Sequence, residues 1–225
     1  AVGDNANDIV AVLVEPILGE GGVVVPHEDY LRELRALCDE RDWLLMLDEV
    51  QTGMCRTGQW FAHQHNHIVP DVMSLAKSLG NGMPIGACLT HGKASELFQS
   101  GSHGSTFGGN LLACRAALAV IGVLQDEGLA SRAAALGERM LVTLREELKS
   151  LPWVKVVRGK GLMLGIELDR PCGELTKVAI DRGLLINVTA QSVIRLLPPL
   201  ILDDAQTDQL TTTVVDLVED FGRKT

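Results

Sequence analysis

Aromatic residues are scarce in this chain of 225 residues: Phe, Trp and Tyr together make up 4% of it. A core must therefore be built from Leu, Val, Ile and Ala, and the 46% hydrophobic content is sufficient for one. The same composition excludes a disordered chain. At this length the chain can form one large domain or two small ones.

Long clusters of Lys and Arg are also missing, and the formal net charge is -9. This charge argues against nucleic acids and anionic membrane surfaces as partners. No apolar run is long enough to cross a membrane, and no signal peptide is visible. The five cysteines are odd in number and form no C-x-x-C pair, so we expect a reduced, cytoplasmic protein.

The first half of the chain contains apolar runs typical of buried strands. The runs are VAVLVEP (10–16), WLLMLDE (43–49), PDVMSLA (70–76) and IGACLT (85–90). An amphipathic helix is predicted at YLRELRALCDER (30–41). Such strands, separated by helices, predict a largely parallel sheet covered on both faces. Ligands bind such sheets at the carboxyl ends of the strands.

The second half has a different pattern. A long Ala/Leu helix ends near Gly128, and a second helix carries an apolar stripe from Leu129 to Leu148. Short β-type runs follow, and then a closing amphipathic helix; the runs are VKVVRG (154–159), GLMLGIEL (161–168), GLLINV (183–188) and VIRLL (193–197). We therefore predict an α/β domain over residues 1–128 and a smaller α+β domain over residues 129–225.

The run LLMLDEVQTG (44–53) ends in two adjacent carboxylates, Asp48 and Glu49. A buried carboxylate is costly unless it is paired, so the strand either ends at solvent or holds a cation there. An ATPase would use Asp48 for a magnesium-bound water and Glu49 as a base. The chain lacks the G-x-x-x-x-G-K-[ST] motif that an ATPase also needs, which disfavours this alternative.

Lys77 follows the third predicted strand and precedes a Gly-rich turn in SLAKSLGNGMPIG (74–86). Most lysines in such places face solvent. A partly desolvated lysine at a strand end, however, can form a Schiff base with an aldehyde. A lysine at one strand end and Asp48 at another suggest pyridoxal phosphate, whose aldehyde needs a lysine and whose ring nitrogen needs a carboxylate.

Six motifs occur in order along the chain: VEPILGEGG, LDEVQTGMCRTG, SLAKSLGNGMPIGA, HGSTFGGN, RGKGLMLGIEL and VIRLLPPLIL. Together they resemble the class III pyridoxal-phosphate-dependent aminotransferases of fold type I. The resemblance implies part of a large, mostly parallel sheet domain and a C-terminal α+β domain. It covers the whole chain but only about the last half of the family's pattern. Within the family, the motifs are most similar to those of enzymes that act on N-acetylornithine.

The resemblance implies roles for four residues around the cofactor. Lys77 would be the Schiff-base lysine and, once displaced by substrate, the base that moves the proton. Asp48 would pair with the pyridinium nitrogen, Val50 would pack on the ring and Gln51 would bind its hydroxyl. Strand alternation would turn Glu49 away from the ring.

Other motifs imply contacts with the phosphate and the substrate. Ser105 and Thr106 would reach the cofactor phosphate of a neighbouring subunit, which implies a homodimer with shared active sites. Arg195 would bind the substrate's α-carboxylate, although from sequence alone a solvent-facing arginine on an edge strand is equally compatible. Glu20 would pair with Arg195 when the other substrate is bound, and Glu15 is a further candidate.

The implied reaction moves an amino group from N-acetylornithine to 2-oxoglutarate. Alternatives are an ornithine, succinylornithine or 4-aminobutyrate aminotransferase, a racemase or decarboxylase of the same family, or an inactive fragment, since the family's N-terminal motifs are absent.

Cys55 and Leu111 stand where relatives usually have Gly and Pro. The HQHNH stretch (63–67) has no acidic or Cys ligand to complete a site, and no metal is expected there.

Overall fold

The computed structural model describes residues 8–223, and its contacts divide the chain into two compact units. Unit 1 comprises the residues up to Pro16, Pro26–Met54 and Gln59–Glu127. Unit 2 comprises Ile17–Val25, Cys55–Gly58 and the residues from Gly128 onward. Two short segments from the first half of the chain therefore belong to unit 2. The assignment of residues 1–128 and 129–225 to two family domains stays a prediction.

Unit 1 is an α/β unit built on a four-stranded sheet of order β1-β2-β3-β4. The β1–β2 and β2–β3 pairs are parallel, whereas β3 and β4 are antiparallel, so the sheet is mixed. Its elements are β1 (Ala11–Val14), α1 (Tyr30–Arg41), β2 (Leu44–Asp48), β3 (Val72–Leu75), β4 (Ala87–Thr90) and α2 (Leu111–Asp126). The fold class implied by the resemblance is thereby confirmed, with β4 as the antiparallel exception.

Helix α1 presents its apolar stripe to strand β2. Leu31 and Cys38, seven positions apart, are buried on this stripe and belong to one cluster with Leu45 and Leu47 of β2. Each fully buried leucine contributes about 1.5–3 kcal/mol. The packing holds β2 in place and thereby positions the residues that follow it.

A partly buried ion pair ties α1 to the loop before β3. Arg35 Nη1 and the backbone N–H of Leu45 both donate to Asp71 Oδ2, each at 2.7 Å. Arg35 Nη2 also contacts Asp39 Oδ1 at 2.7 Å, but this partner is exposed. Burial raises the pKa of Asp71, but the Arg35 and Leu45 hydrogen bonds outweigh it and hold that pKa below its ordinary value.

We expect Asp71→Asn to lower the free energy of unfolding by about 1–3 kcal/mol, because it weakens a charge-assisted bond in a partly buried site. Asp39→Asn removes the exposed partner of the same arginine and should cost under about 1 kcal/mol. Since folding lowers the Asp71 pKa, its contribution is complete above the ordinary value of 3.8 and fades as pH falls through the folded pKa. Urea unfolding at neutral and acidic pH measures both effects; equal costs for the two variants would contradict the assignment.

Unit 2 contains a four-stranded antiparallel sheet of order β5-β6-β8-β7, which gives the α+β architecture. In its core, Leu144 of the first helix of this unit packs with Leu164 and Ile166 of the sheet and with Val214 of the last helix. The elements are α3 (Leu129–Leu148), β5 (Val154–Lys160), β6 (Met163–Leu168), α4 (Leu175–Asp181), β7 (Asn187–Thr189), β8 (Val193–Leu196) and α5 (Asp204–Arg223). Within residues 8–223, no helix combines the length and apolar character that crossing a bilayer requires.

Glycines allow three backbone segments of unit 2 to touch. A Cβ built on Gly137 of α3 would lie 2.0 Å from the carbonyl oxygen of Gly161. Gly161 has a φ of +54°, and a Cβ there would lie 2.4 Å from the carbonyl carbon of Thr57. No side chain fits at either position. The conformation and the contacts thus explain the second glycine of RGKG.

The segment Ile17–Val25 forms a hairpin that is bound to the sheet of unit 2. Leu18 and Val24 exchange backbone hydrogen bonds. Arg158 of β5 donates to the carbonyl oxygens of Gly22 and Val23 at 2.7 and 2.9 Å. Buried Val23 also packs with Met163 of β6. These contacts fix the hairpin that carries Glu20.

Candidate active site

Asp48 is the last residue of β2, where the parallel strands of unit 1 end. Its Oδ1 accepts hydrogen bonds from the backbone N–H of Val50 at 2.9 Å and from the hydroxyl of Ser74 at 3.3 Å. Among the residues that the structure describes, none donates to its second oxygen, Oδ2. The side chain is half-buried. One oxygen is thus oriented by the protein and the other is available to a cationic ligand.

Lys77 lies at the same edge of the sheet as Asp48. Asp48 pairs in register with Ser74 of the neighbouring parallel strand β3, and Lys77 begins the short 3₁₀ helix (Lys77–Leu79) that follows β3. Its side chain is exposed. Both Asp48 and Lys77 therefore stand at the carboxyl ends of adjacent strands, as the sequence predicts.

The backbone of Lys77 has a left-handed conformation with a φ of +44°, which is uncommon for a residue with a side chain. Its carbonyl oxygen accepts from the N–H groups of Gly80 and Asn81 at 3.1 and 3.2 Å. A Cβ on Gly80 would lie 2.0 Å from the carbonyl oxygen of Met83, so the turn is tight. Such strain costs about 1–3 kcal/mol and is concentrated at functional sites.

Three other predicted site residues lie in unit 1 at strand ends. Val50 and Gln51 are half-buried in the turn after β2, and Gly53 N–H closes this turn on the carbonyl oxygen of Glu49 at 2.9 Å. Glu15 follows β1, which is parallel to β2, and is also half-buried. The structure thus brings Glu15 to the edge that carries Asp48.

Glu49 has a set of partners that sequence reasoning misses. The residue is 1% exposed, and its carboxylate accepts from the Thr52 hydroxyl at 2.6 Å and from the backbone N–H groups of Ala62 and His63, each at 2.9 Å. The Nδ1 atom of His63 lies 3.1 Å from Oε1. The strand pattern places Glu49 opposite Asp48 but contains nothing that identifies donors 13 and 14 positions away.

The hydrogen bonds to Glu49 keep it ionised despite its burial. Burial by itself raises the pKa of a carboxyl group, because it disfavours the charged form. The bonds from His63, Thr52 and the two backbone N–H groups outweigh this effect and hold the pKa of Glu49 below its ordinary value. Glu49 is therefore an anion fully surrounded by donors.

The histidines of HQHNH lie in and just after a short 3₁₀ helix, Ala62–Asn66. His63 is buried, contacts Glu49 and stacks on Phe61 with ring centroids 5.7 Å apart. His67 has a left-handed φ of +53° at the end of the helix. Across residues 8–223, no group of three His, Cys, Asp or Glu side chains is arranged to hold a metal ion.

Ser105 and Thr106 are exposed in unit 1, in the turns that precede α2. Gly108 N–H donates to the carbonyl oxygen of Ser105 at 3.2 Å. Asn110 caps α2, since its side chain accepts from two N–H groups of the first turn at 3.1 Å. Leu111 is the first residue of this helix, a position that suits proline, which accounts for the Pro usual in the resembled family.

Unit 2 pairs two predicted substrate-binding residues. Arg195 Nη1 donates to Glu20 Oε1 at 2.7 Å. Arg195 lies on β8, between β6 and β7, and its side chain is only 10% exposed, whereas that of Glu20 is 71% exposed. The alternative of a solvent-facing arginine on an edge strand is therefore wrong. The hydroxyl of Thr189 donates to the carbonyl oxygen of Glu20 and anchors the hairpin.

A partly buried arginine of unit 2, Arg56, has contacts that could not be predicted from the sequence. Arg56 Nη1 donates to the carbonyl oxygens of Leu162 and Pro198 at 3.1 and 2.5 Å. Burial lowers its pKa to about 10. Arg56 thereby ties its own segment to the loop that follows β8. Its neighbour Cys55 is buried with a left-handed φ of +69°, a conformation that favours the Gly usual in the resembled family.

The arrangement in unit 1 fits pyridoxal phosphate. The cofactor needs an amine for its aldehyde and a carboxylate for its ring nitrogen. Lys77 offers an exposed amine, and Asp48 offers an oxygen without a protein partner in residues 8–223, on the adjacent strand end. Val50 and Gln51 follow Asp48 in the same turn.

Comparisons with known proteins agree with this chemistry. The family model described as aminotransferase class-III matches residues 3–218. An acetylornithine aminotransferase of Bordetella bronchiseptica is 52% identical over 221 residues, which is 98% of this chain and 56% of that protein. The corresponding enzyme of Methanothermobacter thermautotrophicus is 44% identical over the same share. The chain thus spans about half the length of the curated relatives it matches.

Solved structures similar to this chain are also aminotransferases. The ornithine aminotransferase of Toxoplasma gondii is 39% identical with a TM-score of 0.92, covering 96% of this chain and 52% of that one. The acetylornithine aminotransferase of Elizabethkingia anophelis is 38% identical with a TM-score of 0.89, covering 96% and 58%. The similarity includes both units.

Proposed function

Because the chain belongs to the class III aminotransferase family, whose enzymes depend on pyridoxal phosphate, we propose that it supplies the cofactor lysine of an aminotransferase. The proposed enzyme transfers an amino group from N-acetylornithine to 2-oxoglutarate. The observation that carries the proposal is the placement of Lys77 and Asp48 at the ends of adjacent parallel strands. A lysine amine and an oriented carboxylate at one sheet edge are the two groups that this cofactor requires.

When bound, pyridoxal phosphate draws electrons away from the substrate carbon that bears the amino group. Asp48 Oδ2 would accept the hydrogen bond of the ring nitrogen and would favour its protonated form, while Val50 N–H and Ser74 hold Oδ1. Val50 would orient the ring by packing against it, and Gln51 would do so by a hydrogen bond. The Lys77 amine, once displaced from the aldehyde by substrate, would act as the base that takes the proton from that carbon.

In unit 2, Arg195 binds the α-carboxylate of the substrate through its guanidinium. Its pairing with Glu20 supports this role, because a largely buried arginine needs an anion. Glu20 is mostly exposed and can move away when a carboxylate arrives, and it can return when the substrate brings a terminal amine instead. Glu15 is proposed as a further contact in unit 1.

The amino donor is inferred from the relatives. Several curated relatives at about 50% identity carry the name acetylornithine aminotransferase, which supports N-acetylornithine. The ornithine aminotransferase of Toxoplasma gondii, at 39% identity, makes ornithine the second candidate. Kinetics with acetylated, succinylated and free ornithine distinguish these donors.

We also propose a cytoplasmic homodimer with shared active sites. Ser105 and Thr106 are exposed beside glycines, where backbone N–H groups can approach a phosphate of a second subunit. Large apolar side chains are exposed in the same stretch, including Phe98, Phe107 and Leu112, as expected for a surface that a partner covers. The cytoplasmic location is supported by the five cysteines, all of which are free thiols.

Cofactor labelling tests the proposed function. The 225-residue chain is mixed with pyridoxal phosphate, its visible absorption is recorded, and borohydride is added to make the link between lysine and aldehyde permanent. We expect a visible band that borohydride removes, and a labelled peptide that contains Lys77. The absence of the band, or a label on another lysine, would overturn the proposal for this chain.

A further inference from the structure

We propose that Glu49 is a positioning residue for the cofactor-binding turn and that it acts through Thr52, Ala62 and His63. The inference rests on the function proposed above, because it assigns a role to the neighbours of Asp48. Glu49 itself faces the protein interior rather than the ligand edge. Its carboxylate is 1% exposed and has four hydrogen-bond contacts, none of which involves Asp48.

The backbone of Glu49 connects the two strand ends of the proposed site. Its N–H donates to the carbonyl oxygen of Ser74 on β3 at 3.1 Å, and its carbonyl oxygen accepts from Gly53 N–H at 2.9 Å. Glu49 lies between Asp48 and Val50, whose N–H orients Asp48 Oδ1. Any rotation of Glu49 therefore changes the direction in which Oδ2 points.

The side chain of Glu49 fixes this backbone from the opposite side. Its two oxygens accept from the N–H groups of Ala62 and His63, which begin the 3₁₀ helix and have no partner within it. Thr52 donates to Oε2 from within the turn itself. The carboxylate thus joins the turn 48–53 to the segment 62–63. Both of its oxygens must accept hydrogen bonds, which only the ionised carboxylate can do.

Glutamine at position 49 cannot replace this acceptor. One of its terminal atoms is an NH₂ group, which would face N–H or O–H donors that already surround the site. At least one buried donor would lose its partner, and the turn would move to restore it. The expected result is a misdirected Asp48, which changes both the affinity for pyridoxal phosphate and the proton affinity of its ring nitrogen.

The test compares the full chain with Glu49→Gln, Thr52→Val and the control Glu33→Gln, whose residue is exposed on α1. Pyridoxal phosphate is titrated by visible absorption, and the pH midpoint of the band is measured at saturation. We expect Glu49→Gln to weaken binding about 10- to 100-fold, Thr52→Val about 3- to 10-fold, and both to shift the pH midpoint. Glu33→Gln should match the unchanged chain.

The outcomes separate this inference from the proposed function. If the unchanged chain shows no cofactor band, the proposed function fails. If the band is present and Glu49→Gln is folded with unchanged affinity and pH midpoint, only the positioning role fails. If Glu49→Gln unfolds at a lower temperature but keeps the same cofactor affinity and the same pH midpoint of the band, Glu49 serves stability alone. Should Glu49→Gln not fold, an unchanged affinity and midpoint in Thr52→Val would overturn the inference.

Discussion

In the proposed aminotransferase, Lys77→Ala is expected to abolish the attachment of pyridoxal phosphate that borohydride makes permanent and to lower the kcat of amino-group transfer by at least about 10³-fold. The variant loses both the amine that bonds to the aldehyde and the base that moves the substrate proton. Asp48 and the turn after it are unaffected, since Lys77 is exposed and follows a different strand. Reversible binding of the cofactor should therefore persist at reduced affinity.

The matched control is Lys93→Ala. Lys93 is another exposed lysine of unit 1, and its amine pairs with the exposed Asp42 at 2.6 Å. Its removal should leave cofactor attachment and amino-group transfer unchanged, because an exposed ion pair contributes little. Mass spectrometry of the reduced protein and a transamination assay measure both properties. Retained attachment or transfer in Lys77→Ala would contradict the role of this lysine.

Gly137→Ala is expected to lower the free energy of unfolding by about 3 kcal/mol or more. An alanine normally stabilises a helix relative to glycine. At this position, however, the new Cβ would lie 2.0 Å from the carbonyl oxygen of Gly161, and backbone cannot move aside as a flexible side chain would. Gly161 in turn contacts Thr57, so the displacement spreads to a second segment.

Gly122→Ala is the control for this change. Gly122 also lies inside a helix, α2, but apart from its chain neighbours and the backbone of its own helix no atom lies within 4 Å of the Cβ that would be added. We expect this variant to be as stable as the unchanged chain or more stable by up to about 1 kcal/mol. Urea unfolding followed by circular dichroism measures both variants. Equal stabilities for Gly137→Ala and Gly122→Ala would show that the close approach of α3 and Gly161 is absent.

Much of the fold follows from local pattern. The run LLMLD and its neighbours are identifiable as strands because buried strands are apolar throughout, and α1 is identifiable because Leu31, Leu34 and Leu37 repeat at helical spacing. The residues of β4 themselves do not indicate that this strand runs antiparallel to β3. The segment between Leu75 and Ala87 holds only a short 3₁₀ helix, and this length favours an antiparallel return.

The site was predictable where chemistry depends on strand ends. Asp48 and Lys77 could be placed at one edge because parallel strands end together, and family membership makes the ATPase interpretation of Asp48 and Glu49 wrong. The partners of Glu49 and Arg56 could not be predicted. Arg56 bonds to carbonyl oxygens 106 and 142 positions away, and such contacts depend on how separate segments pack rather than on local residue type.

The hairpin Ile17–Val25 has a consequence for how the chain is made. During synthesis, this hairpin and Cys55–Gly58 emerge from the ribosome well before their partners in unit 2. Arg158 and Met163 contact the hairpin, and Leu162 contacts Arg56. Val23 and Arg56 therefore stay without these contacts until more than a hundred further residues have emerged. Slow translation of the intervening residues would prolong this exposure, because unit 2 cannot complete its folding before residues 158–163 have emerged.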